Sequence, residues 1–382
     1  MIKSKSSRIV SLCVAFALIL TSCNEQPRNI PSDTLGMEEQ EPLSTTVYAS
    51  QNRPDVRGQI GAVSAGHPLA AQAGLRVLQD GGNATDAIIA MAGVLAVVRP
   101  HMNGIGGDAF GIFYNGETGE VTALNASGRS GALATPEFFA VAELDRIPSI
   151  GPLSVSVPGA VAGWIDAHDR YGSMNFAELL STGIDYARNG FAVSSRLAQD
   201  FEEQGQNLND AGRDLYLPNS SPPKVGSLLR NPQLANSLEI VADQGKEGFY
   251  NGSIAQKLSA FITEQGGYLR QGDFASHTST WVTPLRGDYL NHEFVVMPPN
   301  TQGVTQLALF EMAKSHDLAS MTQNSADYLH TLVELKKLAF ADRDRWVADP
   351  NSANVPVDQL LDADYLKSRA QLINMSVAAE SA

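Results

Sequence analysis

The fold turns on Gly81-Gly82-Asn83-Ala84-Thr85-Asp86-Ala87 and on the later run Met102-Asn103-Gly104-Ile105-Gly106-Gly107-Asp108-Ala109-Phe110. Between them stands Ala-Ile-Ile-Ala-Met-Ala-Gly-Val-Leu-Ala-Val-Val, residues 87–98, apolar on every side. A helix without a polar face is one buried inside a large domain. This one is too short and too rich in Ala and Gly to read as a membrane span. Asn83 is placed to cap it, and Asp86 falls in its first turn beside the positive end of the helix dipole. Upstream, His67-Pro68 opens a helix, with Pro where its missing N–H does no harm. That helix runs to about Asp80 and stops at Gly81-Gly82. Ile60 to Ser64 reads as a strand before it. Downstream, Pro100 ends the apolar helix. Phe110–Tyr114 and Glu120–Leu124 then flank a turn through Asn115-Gly116, the pattern of a β-hairpin.

Gly104-Ile105-Gly106-Gly107-Asp108-Ala109 fits the spacing of a dinucleotide fingerprint. That fingerprint needs a strand before it and a helix after it, so that phosphate meets a helix N-terminus. Here the helix comes first and the hairpin second, so nucleotide binding is rejected. The glycines mark a backbone that turns tightly or lies close to something. A structural turn and contact with substrate both remain open.

Asn125-Ala126-Ser127-Gly128-Arg129-Ser130 follows the second hairpin strand. An arginine in a small-residue loop can grip a carboxylate through two parallel hydrogen bonds, or it can form an ordinary surface ion pair. Further along, Trp164–Tyr171 and Phe176–Arg188 read as helices, and Glu293–Val296 reads as a strand. Met297-Pro298-Pro299-Asn300-Thr301-Gln302-Gly303 is a rigid turn before another helix. A last long helix spans about Ser325–Val347. Its stripe of Tyr328, Leu332, Leu335, Ala339, Asp342 and Trp346 includes one acid. A buried carboxylate needs a partner, so Asp342 is expected to be a structural anchor, paired with Arg343, Arg345 or a backbone amide. The seven histidines show no metal-ligand spacing, and no Gly-x-Ser-x-Gly elbow occurs. His67 and His101 read as satisfied core residues.

The first residues read as an export signal: Lys3, Lys5 and Arg8, then an apolar run from Ile9 to Leu20. It ends Leu20-Thr21-Ser22-Cys23, which resembles a bacterial lipobox, so residues 1–22 are expected to be removed and Cys23 lipidated. A plain secretory signal is the alternative. Residues 23–45 are polar, with Pro27, Pro31 and Pro42, and read as a disordered tether. The folded domain is expected over 46–382. Besides Cys23 the chain has only Cys13, inside the signal, so no disulfide and no cysteine metal site is expected in the mature protein. Loss of Lys3, Lys5 and Arg8 with no acid takes the net charge from -14 to -17. That disfavours nucleic acid or an anionic membrane surface as partner.

Together the glycine-rich stretches resemble the large-subunit half of the gamma-glutamyltransferase family. Ser154-Val155-Ser156-Val157-Pro158-Gly159-Ala160-Val161-Ala162-Gly163-Trp164, Asp169-Arg170-Tyr171-Gly172 and Ala187-Arg188-Asn189-Gly190-Phe191 extend the resemblance. So do Thr283-Pro284-Leu285-Arg286-Gly287-Asp288-Tyr289, the Met-Pro-Pro turn and Ala339-Phe340-Ala341-Asp342-Arg343. It covers roughly residues 57–370. The resemblance implies an α+β fold, the αββα sandwich of N-terminal-nucleophile hydrolases, of which this chain supplies the large-subunit half. It implies a self-cleaving precursor whose new N-terminal threonine, on the small subunit, is both nucleophile and base through its own α-amine. No cofactor and no metal is implied, and no catalytic residue within these residues. In the family an arginine grips the substrate carboxylate in a stretch similar to Asp-Phe-Arg-Glu-Met-Ala-Pro. Aligned without gaps that arginine falls on Ser127, with Arg129 two residues on. Ser127 and Arg129 are therefore the expected substrate-binding residues, and the Ser-Gly-Arg form is more similar to the acylase and amidohydrolase branches. The expected activity is hydrolysis or transfer on gamma-glutamyl or similar acidic acyl amides, with the small-subunit half and a small-molecule amide as partners. The expected place is the cell envelope, on a membrane through the lipid. The alternative is a non-catalytic lipid-anchored binding protein or remnant.

Overall fold

The computed structural model describes residues 56–141 and 143–380. The leader, Cys23 and the tether lie outside the described residues, as does the start of the expected folded domain. Gly58–Ala382 form one compact unit. Its first elements are α1 (Pro68–Gln79) and α2 (Ala84–Val98). His67 caps α1 through Nδ1, which accepts from Leu69 N at 3.2 Å. Gly81 takes φ +95°, the left-handed conformation that lets the chain reverse into α2. Asn83 and Asp86 form a reciprocal capping box. Although Ile88 is 55% exposed, eleven of the fifteen residues of α2 are buried, Ile89, Val94 and Val98 among them. Each such side chain contributes about 1.5–3 kcal/mol on leaving water. Ile60–Ser64, expected as a strand, pairs with nothing among the described residues, and Ile60 is 98% exposed. The β-pattern is present there, but a strand needs a ladder partner to hold it.

The hairpin is β1 (Ala109–Tyr114) and β2 (Val121–Ala126), with Ala109 opposite Ala126. A short α3 (Pro136–Val141) follows, then α4 (Ala160–Tyr171) and α5 (Phe176–Asn189). Helix α4 lies on the sheet through Gly163, where a Cβ would come within 2.7 Å of Ala126 Cβ. Helix α5 packs on α2 as closely: a Cβ on Gly183 would meet Gly93 O at 2.7 Å. The small ladder β3 (Phe191–Ala192) with β4 (Leu228–Leu229) brackets α6 (Ser195–Gln204) and α7 (Asp210–Tyr216). Helices α8 (Pro232–Lys246), α9 (Ser253–Glu264) and α10 (Gln271–Ala275) lead to β5 (Thr280–Val282). Strand β5 pairs antiparallel with β2, giving the order β1-β2-β5.

The hairpin β6 (Leu285–Tyr289) and β7 (His292–Val296) then passes through the Pro-Pro turn into α11 (Gly303–Ala313). Helix α12 (Ala326–Trp346) matches the expected last long helix; two short ones, α13 (Val357–Leu360) and α14 (Ala363–Ala370), follow. A second apolar cluster joins α11, α12 and α14 through Met312, Leu335, Leu338 and Leu366. It rotates the buried stripe of α12 from the expected one. Glu334 becomes the buried acid, held by Lys337 Nζ at 2.7 Å, while Trp346 is 39% exposed. Asp342 is an anchor as expected, yet its partners are Tyr365 Oη at 2.9 Å and Arg369 Nη2 at 3.4 Å, not Arg343 or Arg345. The side chain of Arg343 instead meets Gln302, Asp344 and the Phe340 ring. Among the described residues no helix is long and apolar enough to cross a membrane.

Candidate functional site

Three segments far apart in sequence meet at the end of the β1-β2-β5 sheet. The glycine loop is seated on α4: Gly107 O accepts from Gly159 N at 2.9 Å and from Ala160 N at 2.8 Å, filling the free amides at that helix start. Asp108, the last residue of the loop, accepts from Gly128 N at 2.7 Å. The loop after β2 is thereby tied to the glycine loop. Val157 N donates to Arg129 O at 2.9 Å and fixes it on its other side. Gly128 is required here, because a Cβ would stand 2.1 Å from Val157 O.

The third segment is the Met-Pro-Pro-Asn turn. Asn300 Nδ2 donates to Ser127 Oγ at 2.9 Å, and Asn300 Oδ1 accepts from Asn125 Nδ2 at 2.8 Å. Asn125 Oδ1 in turn accepts from Ser127 N at 3.0 Å. Ser127 is thus half-buried and bonded on one side, whereas Arg129 is exposed. Among the described residues the Arg129 guanidinium has no acidic partner.

Gly104, Gly106 and Gly107 take no positive φ, and a Cβ on each would meet nothing closer than 3.7 Å. Neither a left-handed turn nor packing within the chain demands glycine there. Behind the loops lies His277, 7% exposed, stacked on Tyr250 at 5.3 Å. Burial pushes its pKa down, and the charges of Arg129 and Lys246 push it further, against Asp166. Both ring nitrogens lack a hydrogen-bond partner among the described residues. Burial raises the Tyr250 phenol strongly; its hydroxyl donates to Pro158 O at 2.7 Å and accepts from Ala162 N at 3.0 Å. His67 is buried and partnered as expected, but His101 keeps an unpartnered Nδ1. Among the described residues no cluster suits a metal ion.

Both expected site residues, Ser127 and Arg129, therefore stand on one anchored loop. Sequence reading did not identify Asp108, Asn125, Asn300 or His277. Asp108 and Asn300 carried one signal, a polar residue closing a glycine or proline run. Phe110, Ile112, Val296, Met297, Asn300 and Gln306 border a neighbouring cavity of about 560 Å³.

The sequence pattern of the gamma-glutamyltranspeptidase family matches residues 70–382, which include all three converging segments. The glutathione hydrolase-like YwrD proenzyme of Bacillus subtilis (strain 168) is 36% identical over 318 residues, 82% of this chain and 60% of that protein. The acylase ACY 1 proenzyme of Pseudomonas sp. (strain SE83) is 32% identical over 345 residues, 87% of this chain and 61% of that protein. The crystal structure of Helicobacter pylori gamma-glutamyltranspeptidase is similar with a TM-score of 0.80 at 28% identity, covering 86% of this chain and 95% of that one. The chain spans about three fifths of the length of the curated relatives it matches. Its α+β fold is that of the N-terminal-nucleophile hydrolases among which those structures fall. On the matched segments and the fold together, the chain belongs to the gamma-glutamyltranspeptidase family, on its acylase-like side.

Proposed function

We propose that this chain is the large-subunit portion of an amide hydrolase or acyl transferase acting on gamma-glutamyl or similar acidic acyl amides. The observation that carries the reading is Arg129: a guanidinium without an acidic partner among the described residues, on a loop pinned by Asp108, Val157 and Asn300. A pinned arginine loses little freedom on taking up a carboxylate, and a charged bidentate pair is about twice as strong as a neutral hydrogen bond. The open glycine loop beside it leaves room for a close approach. On this reading the nucleophile is the N-terminal threonine of the small subunit. Its hydroxyl attacks the amide carbonyl as its α-amine takes the hydroxyl proton. The C–N bond breaks, the amine leaves with that proton, and water or a second amine then takes the acyl group from the acyl-enzyme and releases the threonine hydroxyl. The small subunit is the chain's partner and a small-molecule amide its substrate.

The test is a complete enzyme, made by joining this chain to the segment that its relatives carry beyond the match. It should cleave gamma-glutamyl and glutaryl anilides, and this chain alone should not. Arg129→Ala should raise KM for those acidic substrates at least about tenfold, a difference of ~1.4 kcal/mol. An uncharged butyryl anilide should be little affected. Equal effects on both would show that Arg129 serves structure only. We also propose export and lipid anchoring at Cys23 in the cell envelope, on the lipobox-like end of the leader. Mass spectrometry of membrane extracts should find a diacylglyceryl group on Cys23; a soluble form cut elsewhere overturns this.

A further inference from the structure

We infer that Asn300 is a specificity-determining positioning residue of the acyl site, setting the Ser127–Arg129 loop between the Arg129 charge and the neighbouring apolar cavity. The inference rests on the reading of Arg129 as the carboxylate grip. Asn300 joins segments that are 173 residues apart in the chain. Its amide nitrogen holds Ser127 Oγ at 2.9 Å, and its amide oxygen is held by Asn125 at 2.8 Å. Asn125 also fixes the Ser127 backbone at 3.0 Å. The three polar side chains thus brace one another in a closed set. The backbone anchors at Asp108 and Val157 hold the far edge of the loop, leaving Asn300 to set the edge that faces the Pro-Pro turn.

The turn is itself held from the other side. Arg343 Nη1 donates to Gln302 Oε1 at 3.0 Å while its guanidinium covers the Phe340 ring at 3.9 Å. Thr301 Oγ1 donates back to Pro298 O at 2.9 Å. Asn300 therefore reaches Ser127 from a fixed base. It also borders the cavity of about 560 Å³ with Phe110, Ile112 and Met297. Apolar walls with a few placed polar groups are the usual make-up of a small-molecule site. An acyl group whose carboxylate meets Arg129 and whose methylenes lie toward this cavity passes Asn300. With its oxygen and one N–H engaged inside the chain, Asn300 and the Ser127 hydroxyl present neutral hydrogen-bond donors on the loop that carries Arg129.

The experiment uses the complete enzyme of the preceding section with Asn300→Ala, Asn300→Asp and Arg129→Ala. Each is assayed on glutaryl and butyryl anilide, with melting temperature as a control. One neutral hydrogen bond is worth about 1 kcal/mol, so Asn300→Ala should raise the glutaryl KM about three- to tenfold with kcat nearly unchanged. The butyryl KM should rise by less than about twofold, since that acyl group has no carboxylate for the loop to position. The isosteric Asn300→Asp puts an anion against Ser127, two residues before Arg129, where it repels a substrate carboxylate, and should raise the glutaryl KM further with far less effect on butyryl. Melting temperatures close to wild type are expected for both, since the bonds lie at the surface. If Arg129→Ala separates the two substrates and neither Asn300 variant does, the role of Asn300 is overturned and the carboxylate reading stands. If Arg129→Ala fails to separate them, both fall. A drop in kcat on both substrates alike would show that Asn300 supports the fold without selecting substrate.

Discussion

Asp86 exposes no surface, yet its carboxylate takes hydrogen bonds from Asn83 N at 2.9 Å, Ser173 N at 3.0 Å and Ser173 Oγ at 2.5 Å. Burial alone would raise its pKa. The hydrogen bonds from Ser173, Asn83 and Met174 outweigh burial and hold the carboxyl below its ordinary value. The same bonds staple the α1–α2 corner to the end of α4, a contact reinforced by Asn83 Nδ2 donating to Tyr171 O at 2.6 Å. Asp86→Ala strands several buried amides at once, so it should cost on the order of 3 kcal/mol, whereas Ser173→Ala should cost about 1 kcal/mol. Urea midpoints on the two variants check this. Near-equal losses would show that water takes over from the carboxylate. The capping role of Asp86 was legible from Asn83 three residues before it. Its grip on Ser173 was not, because the partner is 87 residues away and no local pattern announces it.

Glycines at the site divide into two kinds, and the division is a property of the loops and α4. A Cβ on Gly159, at the start of α4, would lie 2.1 Å from Ala126 O; one on Gly106 would meet nothing. Backbone against backbone cannot relax by a rotamer change, so Gly159→Ala should destabilise the chain by about 2 kcal/mol or more. Gly106 has no positive φ, so Gly106→Ala should leave stability within about 0.5 kcal/mol while impairing turnover in the complete enzyme. Thermal melts and anilide assays on the pair separate the roles. A Gly106→Ala enzyme with normal turnover would show that nothing approaches the loop closely. At this scale α1, α2, α4, α5 and the β1–β2 hairpin were legible, since caps, glycine stops and a turn lie within each segment. Residues 60–64 and the face of α12 were not. A lone strand pattern does not supply its partner, and α11 and α14 choose which side of α12 is buried.

Across the whole molecule, buried histidines set the response to acid. Burial lowers the pKa of His67, helped by Arg99. Burial also lowers that of His101, where Asp200 opposes and Arg99 and Arg196 assist. His277 is lowered by burial, Arg129 and Lys246. All three are neutral in the fold at a pH where the unfolded chain, with histidines near 6.5, begins to take up protons. Because stability rises with pH wherever the unfolded state binds more protons, acidification lowers it: the loss starts near pH 6.5 and continues as pH falls until the folded groups titrate. The lowered Asp86 adds a loss only at far lower pH, as the medium passes below the ordinary carboxyl value of 3.8. Over pH 7.5 to 5.5 ordinary carboxylates stay ionised, so the acidic net charge of -14 changes little through them and does not offset the trend. The melting temperature should therefore fall by several degrees between pH 7.5 and 5.5. Replacing His277 by Phe keeps an aromatic ring against Tyr250 and removes one titrating group, so it should flatten the slope. Scanning fluorimetry at half-unit steps decides it: a melting temperature that is level or rises toward pH 5.5 would mean that these imidazoles are already charged in the folded chain.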